Sequence, residues 1–399
     1  MAAKVAVVTG GNKGIGYGIV RALCKNFEGI VYLTARDEGR GLAAVEELKK
    51  EGLEAKFQLL DIDSLESIQR FRDYVKSTHG GLDVLVNNAA MAYKVAATEP
   101  FAEQAEVSCR VNFIGTLNVC NELFPLLRKH GRVVHVSSSA GHLQRINGQE
   151  PESIELRKQF ADPELTTPKL IELINTFVSL AKQAKHRENG WPNSAYGVSK
   201  VAVSALTRIQ QRELDGSRPD DDIVVNSVHP GYVDTDMTSH KGVLTIDQGA
   251  DAPAHLALLP PNVKEPRGGY VWHNRVICDW LFVTLQKSLK VLAWESIYIN
   301  MSRLHARVNF QDEQGVIKPD MHEIHTGHLP KAQFATVRGP LEMKRQPQRA
   351  QIQTVEYIAP RKQLAVLYLP PVMKYTQHYS RVENRFNDLN KELYPPEED

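Results

Sequence analysis

At 399 residues the chain exceeds the roughly 250–300 residues at which one hydrophobic core stops growing, so one large domain with an appendage is expected. Hydrophobic residues make up 42% and charged residues 24%, and 48 Lys and Arg nearly balance 47 Asp and Glu, which argues against nucleic acid or an acidic membrane surface as partner. No charge-free apolar run reaches the ~18 residues of a membrane span, the opening AAKVAVVTG is too short for a secretory leader, and Cys24, Cys109, Cys120 and Cys278 form no C-x-x-C pair, so a cytoplasmic protein with reduced thiols is expected.

The first element is the β-branched run VAVVTG at 5–10, and five more runs follow at 30–35, 55–61, 82–88, 132–138 and 223–229. They are apolar almost throughout, as parallel strands buried on both faces should be. Amphipathic segments at about 16–27, 38–51, 64–78, 102–128 and 195–215 alternate with them, which predicts a Rossmann-type doubly wound parallel α/β sheet with right-handed crossovers. Residues 140–192 interrupt the rhythm with helical periodicity in LRKQFADPELTTPKLIELINTFVSLAKQAKH, read as a helical insertion beside the carboxyl edge of the sheet. Beyond Trp280 the alternation stops. An amphipathic helix over 281–301 is expected, then polar stretches such as EMKRQPQRAQIQ and an acidic PPEED end, so 1–280 forms the main domain and 281–399 a poorly structured extension, largely irregular or disordered.

Chemistry-bearing residues fall at the ends of the predicted strands. Gly10, Gly14 and Gly16 in TGGNKGIG lie between the first strand and a helix, where bare backbone can approach a pyrophosphate that the helix N-terminus favours. The second strand delivers Arg36, with Lys13 in the glycine turn and Arg40 one turn later, and cations there suit the 2′-phosphate of NADP(H), although Asp37 follows at once. Asp61 after the third strand could meet an adenine amino group, and Asn87 and Asn88 stand at the end of the fourth. Asn112 sits mid-helix, where asparagine is a poor choice unless its amide is used, either by a ligand or by a neighbouring backbone. Ser137, Ser138 and Ser139 end the fifth strand. Tyr196 and Lys200 in SAYGVSK are four apart, so on a helix they share a face and the ammonium favours the phenolate. His322, His325 and His328 recur at a spacing of three without cysteine or carboxylate partners, so no metal is expected.

TGGNKGIG, NNA, Asn112, the serine cluster, YGVSK and HPGYVDTDM occur in the order of the short-chain dehydrogenase/reductase superfamily, and GGLDVLVNNA, GWPNSAYGVSK and ALLPP resemble its monomeric carbonyl reductase branch, over residues 4–280. The resemblance implies an NADPH-dependent reductase of ketones, aldehydes or quinones. Tyr196 would be the general acid, Lys200 would tune it and hold the nicotinamide ribose, Ser138 would orient the carbonyl oxygen, and Asn112 would anchor a relay water. It further implies that NADPH/NADP+ is held by Gly10, Asn12, Lys13, Gly14, Ile15, Gly16, Arg36, Arg40, Asp61, Ile62, Asn88, Tyr196, Lys200, Pro230, Gly231, Val233 and Thr235. Tyr93, Lys94, Val95 and Gln104, with Ser138, fall at positions of a substrate or glutathione pocket, and the insertion implies a monomer. The chain departs from the pattern at Ala90, where the family carries glycine, at His229, where relatives can carry cysteine, and in the extension, which has no counterpart. The extension keeps two readings, a segment that docks a partner or a segment foreign to the enzyme.

Overall fold

The computed structural model describes residues 3–94 and 96–281, together with four short strands further on, and Val95 lies outside the described residues. Seven strands build the first unit's sheet in parallel: β1 (Lys4–Val8), β2 (Gly29–Ala35), β3 (Lys56–Leu59), β4 (Leu82–Asn87), β5 (Leu127–Val136), β6 (Val224–Val228) and β7 (Tyr270–Val271). A last strand, β8 (Ile277–Cys278), closes one edge antiparallel to β7, giving the order 3-2-1-4-5-6-7-8.

The strands are apolar because both faces are covered. Along β1, Ala6 and Val8 point into one layer with Ile19, Leu23 and Leu48, while Val5 and Val7 point into another with Phe71, Leu85 and Val119, all fully buried. The first layer is made by helices α1 (Gly14–Asn26), α2 (Glu38–Lys50) and α9 (Ile246–Ala257). The second is made by α3 (Leu65–His79), α5 (Thr116–Leu123) and the long α8 (Ala195–Ser217). The order reverses between β1 and β4, and the crevice outside their carboxyl ends is where an open α/β sheet binds ligands.

The expected insertion is two helices, α6 (Pro151–Ala161) and α7 (Thr167–Lys182). Phe160, Leu170, Phe177 and Trp191 pack them into one core with Phe113 and Leu206, so the insertion belongs to the domain's interior.

Within residues 3–281 the structure differs from the sequence reading, which includes neither β7 nor β8. The helix expected over 102–128 is broken into α4 (Phe101–Ser108), a π-helical turn (Cys109–Gly115) and α5, followed by a 3-10 turn over Phe124–Leu126. Pro125 cannot donate a helical hydrogen bond, and β5 begins at Leu127, ahead of the run at 132, with an irregular register against β4. Helix α9 is absent from the sequence reading; it carries Pro253 inside it, and Thr245 and Gln248 form a reciprocal capping box that marks its start. The extension contributes two antiparallel pairs, β9 (Asn309–Gln311) with β10 (Ile317–Pro319) and β11 (Glu356–Ile358) with β12 (Leu364–Val366). The helix expected over 281–301, apart from Leu281, and His322, His325 and His328 lie outside the described residues.

Candidate active site

The glycine turn is shaped by close approach. Gly14 has φ +54°, a conformation side chains rarely adopt, and a Cβ on Gly16 would come within 2.3 Å of the Gly10 carbonyl oxygen and 2.4 Å of Asn88 Nδ2. Asn88 explains that contact: its Nδ2 donates to the Thr9 carbonyl at 2.9 Å and the Gly10 carbonyl at 3.1 Å, which ties the end of β4 to the turn after β1. Thr9 answers through Oγ1, which accepts the Asn88 and Ala89 amides at 3.0 and 2.9 Å. Helix α1 then starts from Lys13 with no side-chain cap and no acidic residue in its first turn. A bare glycine cradle at a helix N-terminus without competing carboxylates in that turn fits the pyrophosphate of a dinucleotide.

Around the second strand the charges sort themselves. Asp37 caps α2, accepting the Arg40 amide at 2.8 Å and an Arg40 guanidinium N–H at 3.2 Å, and these bonds with Arg40 hold its carboxyl below the usual range. Its carboxylate is spent inside its own turn. Arg36 is exposed and makes no ion pair among the described residues, although its charge helps to lower the Asp37 carboxyl. Lys13 is paired with Asp236 at 2.6 Å, so of the three expected cations Arg36 alone makes no ion pair among the described residues. Asp61 follows β3, and its Oδ1 accepts the Asp63 amide at 3.0 Å, while the Ile62 carbonyl lies where a Cβ on Gly115 would meet it at 2.8 Å. Asn87 and Asn88 part company: Asn87 is buried, with Nδ2 3.4 Å from Cys120 Sγ and 3.2 Å from His135 Nδ1.

Tyr196 and Lys200 lie on the first turns of α8, whose cap Ser194 accepts the Gly197 amide at 3.0 Å. Lys200 Nζ stands 5.7 Å from the centre of the Tyr196 ring and donates to the Val136 carbonyl at 2.8 Å. Burial pushes the ammonium down to about 8. Asn112 occupies the π-helical turn, which resolves its poor fit to an α-helix. Its Oδ1 accepts the Met91 amide at 2.8 Å, and its Nδ2 donates to the Met91 carbonyl at 2.9 Å and to Ser199 Oγ at 3.0 Å. Ser199 in turn donates to the Tyr196 carbonyl at 2.7 Å, so Asn112 clamps the loop after β4 to the helix that carries the tyrosine.

Of the three serines, Ser137 is buried, with Oγ 2.8 Å from Ser204 Oγ, which removes it from the crevice. Ser138 is half-buried and its Oγ accepts the Ala140 amide at 3.1 Å. Three side chains that the sequence reading did not use hold this turn: Tyr270 donates to the Ser138 carbonyl at 2.6 Å, His229 Nδ1 accepts the Ser139 amide at 2.9 Å, and Trp280 Nε1 donates to the Gly141 carbonyl at 2.7 Å. Of the three, the sequence reading singles out His229, as a departure from the family pattern and not as an anchor of this turn.

The loop after β6 forms the opposite wall. Val233 is buried, Gly231 has φ +90°, Pro230 is buried beside it, and Thr235 would lie 3.3 Å from a Cβ on Gly14. Lys94 Nζ donates to the Asp236 carbonyl and to Ser239 Oγ at 3.2 Å, whereas Gln104 Nε2 donates to the Glu99 carbonyl at 2.9 Å. Tyr93 is half-buried, and burial raises its phenol. Among the described residues no helix is long and apolar enough to cross a membrane.

Comparison with known proteins adds to this geometry. A family model described as short chain dehydrogenase matches residues 4–150 and 182–242, and the gap coincides with α6 and α7. Carbonyl reductase (NADPH) 3 of Rattus norvegicus is 48% identical over 277 residues, 69% of this chain and 98% of the relative. Carbonyl reductase (NADPH) 1 of Homo sapiens is 48% identical over 272 residues, 68% of this chain and 97% of the relative. Among solved structures, salutaridine reductase of Papaver somniferum superposes with a TM-score of 0.59 at 31% identity, covering 67% of this chain and 99% of that one.

Proposed function

The chain belongs to the short-chain dehydrogenase/reductase family, and from that premise we propose that it is an NADPH-dependent carbonyl reductase, reducing ketones, aldehydes or quinones to alcohols or hydroquinones. The observation that carries the reading is the pairing of Tyr196 with the buried Lys200, whose ammonium is bonded to a neutral carbonyl. NADPH, when bound, supplies the hydride. The protein's own part is to bind, to orient and to move a proton. The glycine cradle and the N-terminus of α1 receive the pyrophosphate, and Arg36 receives the 2′-phosphate as a charge held in no ion pair among the described residues. The Ser138 hydroxyl orients the carbonyl oxygen, and Tyr196 Oη gives its proton to that oxygen as the carbonyl carbon becomes tetrahedral. Lys200, charged at neutral pH, favours the form of its neighbour that is left negative.

Several finer assignments belong to the same proposal. Asn12, Ile15, Asp61, Ile62, Pro230, Gly231, Val233 and Thr235 complete the cofactor cleft. A substrate or glutathione pocket around Tyr93, Lys94 and Gln104 is supported by Lys94 reaching the loop after β6, although Gln104 is turned to the Glu99 carbonyl. A cytoplasmic monomer follows the same reading, supported by the insertion packing on the domain's own core. Purified protein should oxidise NADPH in the presence of a quinone such as menadione, faster than NADH. Absence of turnover with a panel of quinones, aldehydes and ketones would sink the proposal, and sedimentation tests the monomer.

A further inference from the structure

We infer that His229 is a positioning residue for the reduction: its Nδ1 takes the Ser139 N–H and so fixes the turn that aims the Ser138 hydroxyl. This rests on the reading of Ser138 as the group that orients the carbonyl oxygen.

The geometry favours this over a packing role alone. Ser138 Oγ is directed from within a tight turn, accepting the amide two residues on, so any rotation of the 138–141 backbone moves the hydroxyl. That backbone has its own 3-10 hydrogen bond from Gly141 to the Ser138 carbonyl at 2.8 Å, and the side chains that anchor it from outside the turn include Tyr270, Trp280, Arg145, whose Nε donates to the Ser139 carbonyl at 3.3 Å, and His229. Tyr270, Trp280 and Arg145 are donors to carbonyls. His229 is the anchor that supplies an acceptor, and it meets the amide of the residue next to Ser138. An imidazole accepts at Nδ1 while its proton sits on Nε2, so the role requires a neutral ring. The ring is 6% exposed, with the Trp272 ring centre 4.3 Å away and that of His273 6.1 Å away. Burial first, and then the charges of His273 and Arg145, push its pKa down to about 3, so the acceptor persists throughout the working range. A cysteine at this position would offer a much weaker acceptor.

The test is a double-mutant cycle with Ser138→Ala in the full-length protein. His229→Leu should lower kcat roughly tenfold with NADPH affinity within about twofold of wild type, and His229→Asn, which offers Oδ1 in the place of Nδ1, should recover most of it. In the Ser138→Ala background His229→Leu should cost nothing further. An equal loss in both backgrounds, or Asn behaving like Leu, overturns the inference. Should the Leu variant fail to fold, His229→Cys takes its place in the cycle with the same expected result. Amide hydrogen exchange at Ser139 gives a reading independent of turnover: exchange should speed up roughly tenfold in the Leu or Cys variant and stay protected in Asn. Unchanged protection overturns the inference whatever the activity, whereas a wild-type protein inactive on every carbonyl overturns the reductase reading alone.

Discussion

The two ends of the sheet treat charge in opposite ways. At the amino end, Asp222 receives His130 at 2.8 Å, Arg132 at 3.0 Å, Arg267 at 3.2 Å and the Asn262 amide at 2.7 Å, and the buried Arg132 also donates to the Leu259, Pro260 and Asp222 carbonyls. At the carboxyl end, Lys200 is 4% exposed and its bond is to the neutral Val136 carbonyl. One end saturates its charges and fastens the start of β5 and β6 to the loop after α9. The other keeps a buried cation with no carboxylate partner among the described residues, which costs stability and is available to chemistry.

Tyr196→Phe makes the largest break in this comparison. On the proposed mechanism it removes the proton donor without touching the amino end, and NADPH oxidation with a quinone should fall by roughly 10³ or more while NADPH binding and the melting temperature stay near wild type. Lys200→Met should reduce turnover roughly a hundredfold and yet not lower stability at neutral pH. The sign follows from the shift: an ammonium at about 8 in the folded chain and 10.5 unfolded makes the folded state less favourable below pH 8, by roughly 3 kcal/mol, and stability recovers as pH rises through that window. A melting temperature well below wild type would contradict this account of Lys200. In the wild type, turnover should decline as pH rises through about 8, because the ammonium then loses its charge.

Asp222→Asn is the mirror experiment. It should cost roughly 2 kcal/mol of stability, read as a lower denaturation midpoint, with kcat nearly unchanged. Burial works to raise the Asp222 carboxyl, but the bonds from Asn262, His130 and Arg132 outweigh it and hold it at about 2. Its contribution is therefore present above the unfolded value of 3.8 and is lost as pH falls from there through about 2, so the variant's midpoint should fall less than wild type's across that window. The smallest effect expected is at the rim of the crevice, where Arg36→Ser should narrow the preference for NADPH over NADH by roughly tenfold, checked by the ratio of kcat/KM values.

How much of this was legible in the sequence depended on the range of the interactions. The strand and helix alternation, the glycine turn and the Tyr196/Lys200 pair are written in spacings of four residues or fewer, and local backbone geometry reads them out directly. The two asparagines at 87 and 88 are identical in type and adjacent, and a strand turns alternate side chains to opposite faces, so tertiary context alone separates the latch from the core amide. Asn112 was visible as a misfit, but the π-helical turn that accommodates it depends on Met91 and Ser199 from elsewhere in the chain. That Lys13, placed in the glycine turn by the sequence, pairs with Asp236 is likewise a product of the fold. The anchors of the serine turn were unreadable for the same reason, since nothing near Tyr270 or Trp280 announces what their polar atoms will meet.

Those late anchors also set an order of assembly on the ribosome. Asn112, Ser138, Tyr196 and Lys200 have all been synthesised well before the last parallel strand emerges, yet the carbonyl of Ser138 finds its tyrosine partner at position 270 and that of Gly141 its indole partner at 280. A nascent chain or a nonsense product stopping short of Tyr270 would thus carry the full set of residues proposed to react, with the serine turn held from one side, and on that proposal activity should require the chain through Trp280.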